Sequence, residues 1–147
     1  DIPFFVYRKT CDCSGRGEIV RPTADSGKEV GLPIVLLKPD FGISAASAYQ
    51  GLSGVKDIDV SETLPQICPW GTMVNDLERP VFYKFPVLQL MKRWLLSQSG
   101  VHAAMLSGSG STMLAVLKNG EGSQKLIKRA RKEFGATWWA WSGLTES

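Results

Sequence analysis

The chain has 147 residues, 44% of them hydrophobic and 21% charged, with a formal net charge of +3. That length and balance describe one ordinary globular domain, or one domain with a piece of another, and exclude a fibrous or disordered chain. No apolar run approaches the roughly 20 residues of a membrane helix, which argues against a membrane partner. The mild positive charge does not call for a nucleic-acid partner.

The chain starts at Asp1 and enters the apolar Ile2-Pro3-Phe4-Phe5-Val6-Tyr7 with no polar lead-in and no signal-peptide pattern. This predicts a chain whose upstream part has been removed. Residues 1–23 predict two strands, Phe4–Cys13 and Glu18–Arg21, joined by the turn Ser14-Gly15-Arg16-Gly17 and closed by Pro22. Thr23–Gly31 is polar and glycine-containing and sets a linker at residues 24–31. From residue 32 to 147 the pattern predicts a second unit. Its first strand is the continuous apolar run Ile34-Val35-Leu36-Leu37. An Ala-rich helix follows at Ser44–Gln50, with Ser44 as its cap. Residues 51–70, punctuated by Gly, Pro and Asp, predict a surface excursion with at most one short helix.

Asn75-Asp76-Leu77-Glu78 predicts a helix start capped by Asn75, and Pro80 predicts a break or restart. Pro86 opens a clearer helix, with Val87, Leu88, Leu90, Met91, Trp94 and Leu95 at the spacing of one buried face. Then come a strand at Ala103–Leu106, a Gly/Ser loop at Ser107–Ser111, a strand at Thr112–Leu117 and a turn at Asn119-Gly120. Ser123 predicts the cap of a helix with apolar positions Leu126, Ile127, Ala130 and Phe134, stopped by Gly135. Ala136–Trp141 is the last strand. The order from residue 32 predicts an α+β fold of ferredoxin-like type, with helices on one face of an antiparallel sheet. Residues 1–23 predict a hairpin left from an upstream sheet.

Few side chains suggest chemistry. His102 is the only histidine and nothing around it suggests a triad. Three cysteines cannot pair fully, which favours a reducing, cytoplasmic setting over a disulfide framework. Cys11 and Cys13 form a C-x-C, and with Cys68 and one histidine they have the wrong spacing and too few ligands for zinc, so no metal site is predicted. The sharpest feature is Leu106-Ser107-Gly108-Ser109-Gly110-Ser111-Thr112 between two apolar strands. Successive N–H groups in such a loop can form a concave anion site. It lacks the lysine of a P-loop, and a plain tight strand connection is the competing reading. Asp1 fits a general base, a helix cap or a surface charge. Lys125, Lys128, Arg129, Arg131 and Lys132 form the solvated face of their helix, with no interleaved aromatics to stack bases. Trp138, Trp139 and Trp141 predict at least one side packed into the core.

Taken in order, these pieces resemble the 4-diphosphocytidyl-2-C-methyl-D-erythritol kinases of the GHMP superfamily. Asp1-Ile2-Pro3-Phe4-Phe5 is similar to their G-A-D-[VI]-P-[FV]-F segment and Gly15-Arg16-Gly17-Glu18 to the G-x-G-E turn after it. Val35-Leu36-Leu37-Lys38-Pro39 with Ile43-Ser44-Ala45-Ala46-Ser47-Ala48-Tyr49 is similar to their strand, proline and V-S-T-A-x-x-Y helix start. Asn75-Asp76-Leu77-Glu78 matches N-D-L-E, and Met105–Ser111 is similar to M-T-G-S-G-[AS]. Ala45 stands where the family usually has Thr, and Arg8 where Gly is common.

The resemblance implies transfer of the γ-phosphoryl group of ATP, accompanied by Mg2+, to the 2-hydroxyl of the cytidyl diphosphate sugar alcohol, a step of non-mevalonate isoprenoid synthesis. It implies that Asp1 is the catalytic carboxylate, that Tyr49 stacks on the cytosine and that Gly108, Ser109 and Gly110 lie near the phosphates. It also implies a C-terminal half, inactive alone, whose partner is the N-terminal half with the loop that wraps the ATP phosphates. The alternative is a non-enzymatic ferredoxin-like module that binds a ligand or partner.

Overall fold

The apolar run Ile34–Leu37 lies in the middle of a sheet, with Val35 and Leu37 buried in the core and Ile34 and Leu36 half-buried on the opposite face. Strand β3 (Pro33–Lys38) pairs antiparallel on one side with β7 (Met113–Leu117) and on the other with β8 (Trp139–Leu144). Strand β6 (Val101–Leu106) adds to β7, so the order is β6-β7-β3-β8, all antiparallel neighbours. The computed structural model describes residues 7, 11–15, 17–22, 31–52 and 61–145. The chain divides into two compact units, residues 33–144 and residues 1–32 with 145–147.

In the larger unit the sheet is covered on one face by α3 (Pro86–Leu96) and α4 (Ser123–Phe134). The order of its four strands and two covering helices is ferredoxin-like, as the sequence pattern predicts. Val35, Leu37, Ala104, Leu106, Met113, Ala115 and Leu117 face the helices and share one core with Leu88, Met91, Leu95, Leu126, Ile127 and Ala130. A bulge between Val101 and Ala103 shifts the alternation of β6, which lets Val101 face the core along with Ala104 and Leu106. Trp94 packs edge-on to Phe134, and Phe134 stacks on the buried Trp138, so aromatic rings join the two helices to the turn before β8. Arg129 lies over the Trp94 ring and the Arg131 Nε donates to the Trp138 carbonyl, while the rest of the basic face of α4 is exposed.

Several boundaries differ from the sequence reading, each for a local reason. Pro80 lies inside helix α2 (Glu78–Lys84), which it does not break, because it sits in the first turn where no N–H is needed. Helix α4 starts at Ser123 itself, after a 3-10 turn at Gly120–Gly122, so Ser123 is not its cap. Strand β8 begins at Trp139 and not Ala136, because pairing with β3 runs from Lys38 opposite Trp139 to Pro33 opposite Leu144. Trp139 and Trp141 consequently lie on the face away from the helices, about half exposed. Leu90, placed on the buried face of α3, is exposed, and Lys92 takes its place in the buried stripe of Leu88, Met91 and Leu95.

The excursion after helix α1 (Ala45–Gly51) includes a hairpin that the composition hides. A 3-10 turn at Ser61–Thr63 leads to β4 (Gln66–Cys68), paired antiparallel with β5 (Gly71–Met73). Its first residue reaches β6. The Gln66 Nε2 donates to the Ala104 carbonyl at 2.8 Å and its Oε1 accepts the Ala104 N–H at 3.1 Å. Trp70 packs against His102 of the same strand, with ring centroids 4.9 Å apart. A primary amide thus occupies one outward pair of backbone groups on the edge strand.

In the smaller unit, β1 (Cys11–Ser14) pairs antiparallel with β2 (Ile19–Pro22), and the Gly17 N–H donates to the Ser14 carbonyl. Leu32 and Thr145 exchange two hydrogen bonds, from the Leu32 N–H to the Thr145 Oγ1 and from the Thr145 N–H to the Leu32 carbonyl. Of the strand predicted over Phe4–Cys13, residues 11–13 lie in β1, with Cys11 opposite Pro22. Tyr7 is helical and exposed, and residues 4–6 and 8–10 lie outside the described residues.

Gln66→Ala leaves the Ala104 N–H and carbonyl without their side-chain partner. The expected loss is about 1–3 kcal/mol, read as a lower urea midpoint with an unchanged slope.

Candidate functional site

The loop between β6 and β7 is built to hold an unusual backbone path. Gly108 and Gly110 have φ of 55° and 84°, in the left-handed region that side chains disfavour. A Cβ on Gly110 would lie 2.9 Å from the Leu106 Cδ1 and 3.4 Å from the Ile43 Cδ1, so the loop presses against the core at that point. A Cβ on Gly108 would meet nothing within 4 Å, so that side of the loop is open. The Gly110 N–H donates to the Ser107 carbonyl and the Ser107 N–H to the Thr112 carbonyl, both at 2.9 Å. Among the described residues the N–H groups of Gly108 and Ser109 have no backbone acceptor. These are the groups an anion would meet.

Two segments hold the loop. Ser111 is buried and its hydroxyl donates to the Phe41 carbonyl, between β3 and α1. Asn75 holds it from the other side. Its Nδ2 donates to the carbonyls of Leu106 at 2.9 Å and Gly108 at 2.8 Å, while its Oδ1 accepts the Leu77 N–H at 3.0 Å. Asn75 is therefore not the cap of helix α2, which starts at Glu78 after Leu77. It makes a turn of its own before the helix and spends its amide on the loop.

Glu78 completes the support. Its side chain and that of Lys92 are each 1% exposed, with Oε2 and Nζ 2.5 Å apart. The Glu78 Oε1 accepts the Leu106 N–H at 2.8 Å. Burial pushes the Glu78 carboxyl up from the usual carboxylate range, while the Lys92 ammonium and the Leu106 N–H pull it back. Leu106, the last residue of β6, is thus gripped at its N–H by Glu78 and at its carbonyl by Asn75.

The residues proposed from the sequence are placed as follows. Gly108, Ser109 and Gly110 form the loop just described. Tyr49 is 60% exposed on α1, where Ala48 is the buried residue. Helix α1 follows Ile43, whose Cδ1 would lie 3.4 Å from a Cβ placed on Gly110, and the Lys84 Nζ ties it to α2 by donating to the Ser47 Oγ. Among the described residues no hydrogen bond or ring contact joins Tyr49 to the loop. Asp1 lies outside the described residues. Among those described, no group of three or more His, Cys, Asp or Glu is placed to hold a metal ion. No described helix is long and apolar enough to cross a membrane.

Residues 68–136 match the family described as GHMP kinases C terminal. A 4-diphosphocytidyl-2-C-methyl-D-erythritol kinase of Thermodesulfovibrio yellowstonii is 33% identical over 141 residues, covering 87% of this chain and 48% of the relative. One from Methylacidiphilum infernorum is 31% identical, covering 95% of this chain and 48% of its own length. A chloroplastic one of Oryza sativa is 35% identical over 124 residues, 31% of its length. A crystal structure of 4-(cytidine 5'-diphospho)-2C-methyl-D-erythritol kinase superposes on all of this chain and 53% of its own, with a TM-score of 0.71 at 24% identity. At that identity the likeness concerns the fold. The chain spans about half the length of the first two curated relatives.

The Glu78–Lys92 pair predicts a pH signature. A carboxyl with a raised folded pKa contributes stability below the ordinary carboxylate value and loses it as pH rises through the raised value. Lys92→Met removes the largest opposing pull and raises that value further. The variant is expected to lose about 3–5 kcal/mol at pH 7.5 and to recover part of it at pH 5, in urea titrations at both pH values. Adding Glu78→Gln should restore most of the loss at pH 7.5.

Proposed function

We propose that this chain, which carries a GHMP kinase C-terminal domain across residues 68–136, supplies the C-terminal half of an ATP-dependent 4-diphosphocytidyl-2-C-methyl-D-erythritol kinase. The observation that carries the reading is the Ser107–Ser111 loop. Its two glycines have positive φ, it is open beside Gly108, its Gly108 and Ser109 N–H groups lack backbone acceptors among the described residues, and two segments hold it. Phosphoryl transfer needs positioning and charge stabilisation more than covalent help from the protein, and a fixed row of N–H donors offers both. The names and coverage of the relatives supply the substrate class and the placement as a C-terminal half.

In this reading Gly108, Ser109 and Gly110 line the cleft beside the ATP phosphates. Mg2+ bound with the nucleotide would shield its charge, and among the described residues no group of three or more His, Cys, Asp or Glu is placed to hold it. Asp1 orients the 2-hydroxyl of the cytidyl diphosphate sugar alcohol and takes its proton as the oxygen attacks the γ-phosphorus, the bond from the β,γ-bridging oxygen to that phosphorus breaks and ADP leaves. Tyr49, exposed on α1, offers its ring to the cytosine. Residues 1–23 belong with the N-terminal half, and residues 32–147 form the C-terminal domain behind a linker at 24–31. The setting is the cytoplasm, and the chain alone does not turn over.

The direct test is ATP-dependent phosphorylation of the cytidyl substrate by the full-length protein, with this chain alone as the control. Turnover by the full-length protein and none by the chain is the expected result. In the full-length protein, Asp1→Asn should lower kcat by about 10²–10⁴-fold with nucleotide affinity retained. Tyr49→Ala should raise the KM for the cytidyl substrate by about ten- to a hundredfold with the ATP KM unchanged, and Tyr49→Phe should be nearly silent. A Tyr49→Ala protein that loses melting temperature at constant KM assigns the ring to packing.

A further inference from the structure

We propose that Asn75 is a positioning residue for phosphate binding, because it fixes which face of the Gly108–Ser109 peptide the loop presents. This rests on the kinase reading above. The carboxamide of Asn75 has two N–H donors, and they go to the carbonyls of Leu106 and Gly108 at 2.9 and 2.8 Å. Its oxygen accepts the Leu77 N–H, so every member of the carboxamide is engaged. The Gly108 carbonyl and the Ser109 N–H belong to one planar trans peptide and point in opposite directions. Holding the carbonyl against Asn75 therefore turns the Ser109 N–H away from Asn75. Turning that peptide plane changes ψ at residue 108 and φ at residue 109, and glycine at 108 removes the Cβ restriction on the first of these. Released from Asn75, the same loop could turn the Gly108 carbonyl outward and offer phosphate a lone pair in place of a donor.

The anchor itself is fixed. The helix that follows Asn75 begins with Glu78, whose carboxylate grips the Leu106 N–H and the Lys92 ammonium inside the core. Asn75 and the root of the loop thus refer to one rigid point, and the peptide plane inherits that order. The sequence Asn75-Asp76-Leu77-Glu78 combines the two functions at a separation of three residues.

The informative variant is Asn75→Ser. A serine hydroxyl retains an acceptor near the Leu77 N–H but cannot reach both carbonyls, and it adds no charge. In the full-length protein the ATP KM is expected to rise about tenfold or more, with the KM for the cytidyl substrate within about twofold of the parent. Asn75→Ala should give the same rise in ATP KM with a larger fall in melting temperature. Lower melting temperatures with an unchanged ATP KM in both variants would overturn the proposal and leave Asn75 a structural tie. In this chain, the backbone ¹⁵N shifts of Gly108, Ser109 and Gly110 should change strongly in Asn75→Ser, and unchanged shifts would also overturn it. An unaltered full-length protein without ATP-dependent turnover would instead count against the kinase reading, and the shifts would still decide whether Asn75 sets the peptide plane.

Discussion

A buried carboxylate held between an ammonium and a backbone N–H organises this domain. Glu78 stands at the first turn of one helix, Lys92 on the buried stripe of the next and Leu106 at the end of the edge strand. An ion pair this deep is a doubtful source of net stability, since desolvation offsets most of the attraction and an apolar trio of similar volume would pack as well. What an apolar trio could not do is accept the Leu106 N–H, which faces away from the sheet. The pair thus resolves a geometric need, the fixing of a strand end where a loop must leave in a set direction.

The same arrangement manages charge around the candidate phosphate site. A lone carboxylate beside Leu106 would repel the phosphates that the proposed function brings to the loop, through a low-dielectric interior where Coulomb energies are least screened. Lys92 cancels that field at its source. The loop is left with the partial positive charge of its own amides, and the residues that support it, Asn75 and Ser111, are neutral.

The sheet was legible because its pattern is repetitive. Ile34–Leu37, the stripe of α4 and the apolar strands flanking the Gly/Ser loop each announce themselves by local periodicity, and their order alone implies a ferredoxin-like topology. The loop was legible as a glycine-dependent connection between two strands, and the positive φ at Gly108 and Gly110 is what those glycines permit. Lys92 was in principle legible: it sits four residues after Leu88 and three before Leu95, on the stripe itself, but a lysine is read as solvated by default. Gln66 had no signal. Its task is to meet backbone groups 38 residues away, and such a contact leaves no periodic trace. Asn75 was read as a helix cap because the local pattern for a cap and for a turn before a helix is the same, and only the tertiary contact at Gly108 tells them apart.

The guarded edge of β6 has a consequence for how the polypeptide associates. An edge strand presents alternate backbone groups that can template a further strand from another molecule. Here those groups at Ala104 and Leu106 are already taken by the side chains of Gln66, Glu78 and Asn75. A visiting strand would have to displace two carboxamides and a carboxylate to gain ladder bonds at these two residues. Side chains drawn from two separate segments thus block templated growth along this stretch of the border, without adding a strand that would need an edge of its own.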